Sequence, residues 1–124
     1  MLKMVAEEIN QYCESNSMRD SKLLKELTQF TYDTEDIPQM VSGEQVGNVL
    51  QGFIQMTKAE RIIEVGMFTG YSALKMAEAL PDNGEVHTCE LMEKHVITAQ
   101  SFFNRSPHGH KIRIYHGLAS ESID

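Results

Sequence analysis

Two cysteines in 124 residues, Cys13 and Cys89, are too few for a disulfide framework, and no Cys-x-x-Cys pair suggests a redox or zinc motif. Both read as reduced thiols. No apolar run approaches the roughly 20 residues of a membrane span. The N-terminal stretch gains Glu7 and Glu8 before any long hydrophobic region develops, so it lacks the layout of a secretory signal. A protein of the cytoplasm, with no membrane partner, is expected. The formal charge of −7 has no compensating Lys/Arg cluster, which argues against nucleic acid as a partner. The Gly-x-Gly-x-x-Gly fingerprint of dinucleotide sites is also missing, which argues against a nicotinamide-dependent oxidoreductase.

What is present is ordinary globular usage, with 41% hydrophobic and 23% charged residues. The length fits one domain able to bury about two-thirds of its unfolded surface. Leu2, Val5, Ile9 and Tyr12 predict a first amphipathic helix, and Leu23, Leu24, Leu27 and Phe30 a second. Residues 33–38, acidic and ending in Pro38, predict a loop. Ser42-Gly43-Glu44-Gln45 fits a capping box, followed by a helix to about Thr57 with Val46, Val49, Leu50 and Phe53 as its buried stripe.

From Arg61 the pattern changes to strand–helix–strand–helix–strand. The strands are Arg61–Val65, Glu85–Glu90 and Lys111–Tyr115, the helices Gly70–Leu80 and Glu93–Asn104, with turns at 81–84 and 106–109. Residues 1–58 thus form opening helices and 61–124 a βαβαβ half-sheet of one domain. Right-handed crossovers place the strands in the order 3-2-1, with the first at one edge. A free edge on the apolar Ile62-Ile63-Glu64-Val65 strand is an aggregation liability unless something covers it, so a fragment or an intimate homo-oligomer is expected.

The most informative segment is Glu64-Val65-Gly66-Met67-Phe68-Thr69-Gly70-Tyr71-Ser72, a strand end running through a glycine-bracketed loop into a helix start, with Glu90 lying 24 residues beyond Gly66. A helix N-terminus at Gly70-Tyr71-Ser72 offers backbone donors and positive dipole character to a carboxylate or phosphate. Ser72 adds a hydroxyl. Glu90, ending the second strand, can accept from both hydroxyls of a ribose, and Glu64 can take an ammonium or a bridging water. These groups suit an amino acid joined to a nucleoside, the make-up of S-adenosylmethionine (SAM). Taken singly, each has a plainer reading: a tight turn, a first-turn serine, a solvated strand-terminal glutamate. Their spacing within one βαβ unit favours the cofactor reading.

Other features carry less. His108, His110 and His116 cluster near a turn without a cysteine or carboxylate at ligand spacing. Cys89 and His87, two apart on a strand, do not converge as a nucleophile pair. Met67, Met76 and Met92 read as core fillers. Tyr71 either touches a ligand or caps the apolar layer with its hydroxyl in water.

The run Glu64–Ala73, with Met40-Val41-Ser42-Gly43 upstream and Cys89-Glu90 downstream, resembles the SAM-dependent O-methyltransferases of the catechol and caffeoyl-CoA type over about residues 35–124. The resemblance implies a Rossmann-like class I methyltransferase fold, with Met40 and Ser42 at the methionine end of the cofactor. It implies that Glu64 and Ser72 hold the amino-acid moiety, with Gly70 and Tyr71 at the helix start. It further implies that Glu90 holds the ribose and the backbone of Gly66 and Phe68 lies against the cofactor. Leu91 would pack on adenine, and Gly117, Leu118, Ala119 and Ser120 would border its edge. The acceptor implied is a small catechol-like or acyl-linked phenol. Family members continue through a larger sheet whose later strands carry the Asp/Asp/Asn ligands of a divalent cation, usually magnesium, and a lysine that helps deprotonate the phenol, so no metal or catalytic residue can be named here. A non-catalytic module that binds SAM, or that acts through its sheet edge, is the alternative reading.

Overall fold

The computed structural model describes residues 4–123. Helices α1 (Glu7–Asn16), α2 (Lys22–Thr34) and α3 (Gly43–Thr57) precede β1 (Arg61–Val65), α4 (Tyr71–Ala79), β2 (Glu85–Glu90), α5 (Glu93–Phe103), β3 (Ile112–His116) and the short α6 (Ala119–Ser122). Single 3-10 turns occupy Pro38–Met40 and Gly109–Lys111. The three strands are parallel in the order β1-β2-β3, with Val65 opposite Cys89 and Glu90 opposite His116.

Right-handed crossovers in that order put α4 and α5 on the same face of the sheet. The side chains of β2 record this. Val86 and Thr88 are fully buried on the helical side, where Leu74, Ala77, Ala99, Phe102 and Phe103 complete the core with Leu24 and Leu27 of α2. Full burial of one such leucine contributes about 1.5–3 kcal/mol. The opposite face is largely open: Ile63 and Val65 are about two-thirds exposed, and Ile63 lines a depression with Arg61, His87, Cys89, Tyr115 and Ile123.

Buried polar contacts fasten the opening helices to α4. Asp20 lies in the α1–α2 turn, where the Lys75 ammonium donates to its Oδ1 at 2.7 Å and the Tyr71 hydroxyl to its Oδ2 at 2.7 Å. The backbone N–H of Asp20 donates to Glu44 at the start of α3. Gly47 allows α3 to close on α4, since a Cβ there would stand 2.8 Å from Lys75 Cγ. At the other end of α4, buried Lys111 donates to the carbonyls of Ala77 and Leu80, satisfying groups that a helix C-terminus leaves unpaired.

Several expectations need correction. The first helix begins at Glu7, so Val5 precedes it, Leu2 lies outside the described residues, and no residue of α1 is buried. Helix α2 continues through Asp33 and Thr34 before the chain turns. Ser42 forms no capping box: its backbone is already helical, the chain enters α3 through Gly43 at φ +83°, and the Ser42 side chain makes no cap hydrogen bond. The buried face of α3 is Gly47 and Ile54, with Leu50 partly buried, whereas Val46, Val49 and Phe53 are more than half exposed, because the helix approaches α4 along its glycine. Met67 and Met76 are core residues; Met92, immediately before α5, is about half exposed. The third strand starts at Ile112, Lys111 being drawn into the 3-10 turn that seats its ammonium on α4.

Candidate functional site

The carboxyl ends of β1 and β2 and the loop 66–70 form one constellation. Gly66 and Met67 extend the strand pairing, both donating to the Cys89 carbonyl, at 2.9 and 3.2 Å. Gly66 has φ +88° and a Cβ placed on it would meet nothing within 4 Å, so its backbone faces open space. Gly70 has φ +98° and is packed underneath: a Cβ there would lie 2.8 Å from Ala99 and Phe103. Between them Phe68 adopts φ +54°, a left-handed conformation that an aromatic side chain takes only when its neighbours hold it.

Glu90 is what holds it. The Phe68 N–H donates to Glu90 Oε2 at 2.8 Å, and the Met92 N–H donates to Oε1 at 2.9 Å. Burial works against ionisation of Glu90, but those two amides and then His95 outweigh it and keep the carboxyl below the usual carboxylate range. Glu90 is therefore a fixed anion at the end of β2, with one lone pair of Oε2 left to a ligand donor.

Glu64 behaves oppositely. Burial pushes its carboxyl above the usual range, more than the Ser72 and Thr88 hydroxyls lower it, and the Glu90 charge adds to the rise. Ser72 donates to Oε2 at 2.5 Å and Thr88 to Oε1 at 2.7 Å, so each oxygen already has an internal donor. Thr88, the register partner of Glu64, was not singled out in the sequence; its place opposite a glutamate in the parallel pairing of β1 and β2 is the signal that could have found it.

Met40 and Ser42, both exposed, come from the segment before α3 and meet Gly66, Phe68, Tyr71 and Ser72 around a narrow cleft. Leu91, Gly117, Ala119 and Ser120 lie at the ends of β2 and β3. The Gly117 N–H donates to the Glu90 carbonyl at 2.9 Å, which sets this group beside the Glu90 backbone and outside the narrow cleft. Tyr71 does not have its hydroxyl in water, where one of its two readings put it. Its ring is buried and its hydroxyl bonds Asp20, with burial and then the Asp20 carboxylate driving its ionisation far upward. Tyr71 and Ser72, at the start of α4, border the cleft.

A wider groove between the α1–α2 turn and the start of α3 includes Asp20 and Glu44 and shares only Ser42 with this cleft, so it is set apart from the strand ends. Among the described residues, no three His, Cys, Asp or Glu side chains are grouped to hold a metal ion. His108 accepts from Lys111, His116 contacts the Leu91 carbonyl, and His87 bridges Glu85 and Tyr115 without approaching Cys89 as a partner.

The family model for O-methyltransferases matches residues 14–124. The chain belongs to the O-methyltransferase family. Among its curated relatives, the mouse catechol O-methyltransferase domain-containing protein 1 is 40% identical over 81 residues, covering 65% of this chain and 30% of the relative. Tricin synthase 1 of rice is 31% identical over 111 residues, covering 90% and 41%. The O-methyltransferase of Bacillus cereus, solved with SAH, superposes with a TM-score of 0.85 at 28% identity, covering 94% of this chain and 52% of that one. The chain spans about half or less of the length of these O-methyltransferases. Its three parallel strands and their helices have the Rossmann-like arrangement of that structure.

Proposed function

We propose that this chain is the cofactor-binding half of an SAM-dependent O-methyltransferase that methylates a hydroxyl of a small phenolic, catechol-like acceptor. The observation that carries this is the Glu90 carboxylate, held ionised by the Phe68 and Met92 amides at the end of β2, beside the unobstructed backbone of Gly66. Its free lone pair suits a ribose hydroxyl. Ser72 and the start of α4 face the same cleft as Met40 and Ser42 and suit the amino-acid end, while Glu64, below them, positions the Ser72 hydroxyl. Leu91, Gly117, Ala119 and Ser120, beyond the ends of β2 and β3, suit the adenine. SAM bound there would supply the electrophilic methyl group, and the residues of this chain bind and orient it. The similarity to tricin synthase 1 and to the SAH-bound Bacillus cereus enzyme supports the cofactor and the phenolic class. The described residues do not provide a magnesium site, so no step is assigned to that ion.

Titration calorimetry with SAM tests the reading. Saturable binding that Glu90→Ala weakens at least tenfold is expected; a folded wild-type chain that takes up no SAM refutes it.

A second reading is favoured by the open sheet face, where Ile63 and Val65 stand exposed on the edge strand. We infer a homo-oligomer formed through that region, in the cytoplasm. In its extreme form this describes a non-catalytic interaction module, recognised by tight self-association without SAM uptake. None of the described helices is long and apolar enough to cross a membrane.

A further inference from the structure

His95 is buried at 6% exposure, in the first turn of α5, and both of its ring nitrogens face carboxylates. Nδ1 lies 3.4 Å from Glu90 Oε1, and Nε2 lies 3.2 Å from Glu35 Oε2, at the end of α2. Lys94, on the same helix, reaches the same Glu35 oxygen at 2.6 Å. Asp36 adds negative charge near Lys94. The Phe68 ring meets the imidazole edge to face, with centroids 4.8 Å apart. Thus one ring touches the strand-end carboxylate, the left-handed loop residue and the helix that precedes the Met40 segment.

The imidazole joins the two carboxylates through both of its nitrogens. Only the doubly protonated ring can donate to both carboxylates; either neutral tautomer must turn a lone pair toward Glu90 or toward Glu35. Phe68 is the other dependent. Its φ of +54° is maintained by its N–H bond to Glu90 and by its contact with the imidazole, so a displaced ring loosens both supports of the strained residue.

We propose that His95 is a positioning residue of the nucleoside site: its ring, set between the two carboxylates, clamps Glu90 and the Phe68 loop against Glu35, and nucleoside affinity weakens when the ring nitrogens are removed. The proposal rests on the cofactor reading above. It concerns a residue that contacts the ribose-binding candidate without itself lining the narrow cleft.

The test is calorimetric titration of the 124-residue chain with SAH at a single pH, with the melting temperature of each variant recorded alongside. His95→Leu, which removes both ring nitrogens, is expected to raise the Kd roughly three- to tenfold, the range that loss of one hydrogen bond produces. His95→Gln, whose amide can still donate to one of the two carboxylates, is expected to recover part of that loss, the rescue that a merely space-filling role would not give. Glu35→Gln, which weakens the support behind the ring, is expected to raise the Kd as well and carries the test if the His95 variants do not fold. A folded His95→Leu chain that binds as tightly as wild type, a His95→Gln chain no better than His95→Leu, or, where only it folds, a Glu35→Gln chain with unchanged Kd overturns the proposal while leaving the cofactor reading in place. Failure of the folded wild type to bind SAH overturns both.

Discussion

Lys75 and Asp20 stand 55 positions apart in the sequence and meet at 2.7 Å, with side chains only 3% and 6% exposed. Asp20 also receives the Tyr71 hydroxyl, so the carboxylate is shared by the first turn of α4 and the next turn of the same helix. Removal of one partner strands a buried charge. Lys75→Met or Asp20→Leu alone is expected to cost about 3–5 kcal/mol in urea denaturation, and the double variant less than either, because no unpaired charge remains. Tyr71→Phe, which removes a hydrogen bond to a charged group, is expected to cost about 1.5–3 kcal/mol.

The two loop glycines separate backbone strain from packing. Gly66→Ala forces a left-handed alanine into open space and is expected to cost about 1–2 kcal/mol. Gly70→Ala adds a collision with Ala99 and Phe103 to the same strain and is expected to cost more than about 3 kcal/mol. Denaturation midpoints of the two variants, measured side by side, check the ordering.

Glu64 sets a pH signature. Its folded carboxyl is raised, first by burial, so it favours the folded state only below the unfolded carboxylate range, near about pH 4.3, and opposes folding as pH climbs through its folded value. Glu64→Gln is therefore expected to raise the melting temperature at pH 7 relative to wild type by more than it does at pH 4. Glu35 and Glu90 act in the opposite sense: despite burial, their partners depress them, so their contribution is present above the unfolded range and lost as acid titrates them. Melting curves of wild type and variant at the two pH values decide the matter, and equal shifts at both would contradict the assignment.

Charge on the open face tests association. Ile63→Lys and Val65→Lys place an ammonium on exposed positions of the edge strand and are expected to cost less than about 0.5 kcal/mol in stability. Both are expected to lower the sedimentation coefficient of the wild-type chain toward that of a monomer.

The half-sheet was legible because its signals are local. The apolar run Ile62-Ile63, the turn residues Pro81–Gly84 and the chirality of crossovers were enough to order β1, β2 and β3. The N-terminal helices were harder, since the apolar stripe at Val46, Val49 and Phe53 faces outward and Gly47, which carries no hydrophobic signal, marks the packed side. Around the candidate site, the glycines and the two glutamates stood out by type and spacing. Phe68 gave no hint of a left-handed backbone, and Tyr71 and His95 owe their surroundings to Asp20 and Glu35, brought near only by the tertiary fold.

A sheet covered by helices on one side alone has a calorimetric consequence. The chain exposes 7975 Å², against about 6,700 Å² expected from general scaling for a folded protein of 14.1 kDa. In the single chain, apart from any oligomer, apolar groups such as Ile63 and Val65 are already hydrated before unfolding and add little new hydration when the chain opens. The heat-capacity increment of unfolding and the denaturant slope of the monomer should both fall below the values usual for this chain length, so the monomer's stability curve should be flatter with temperature.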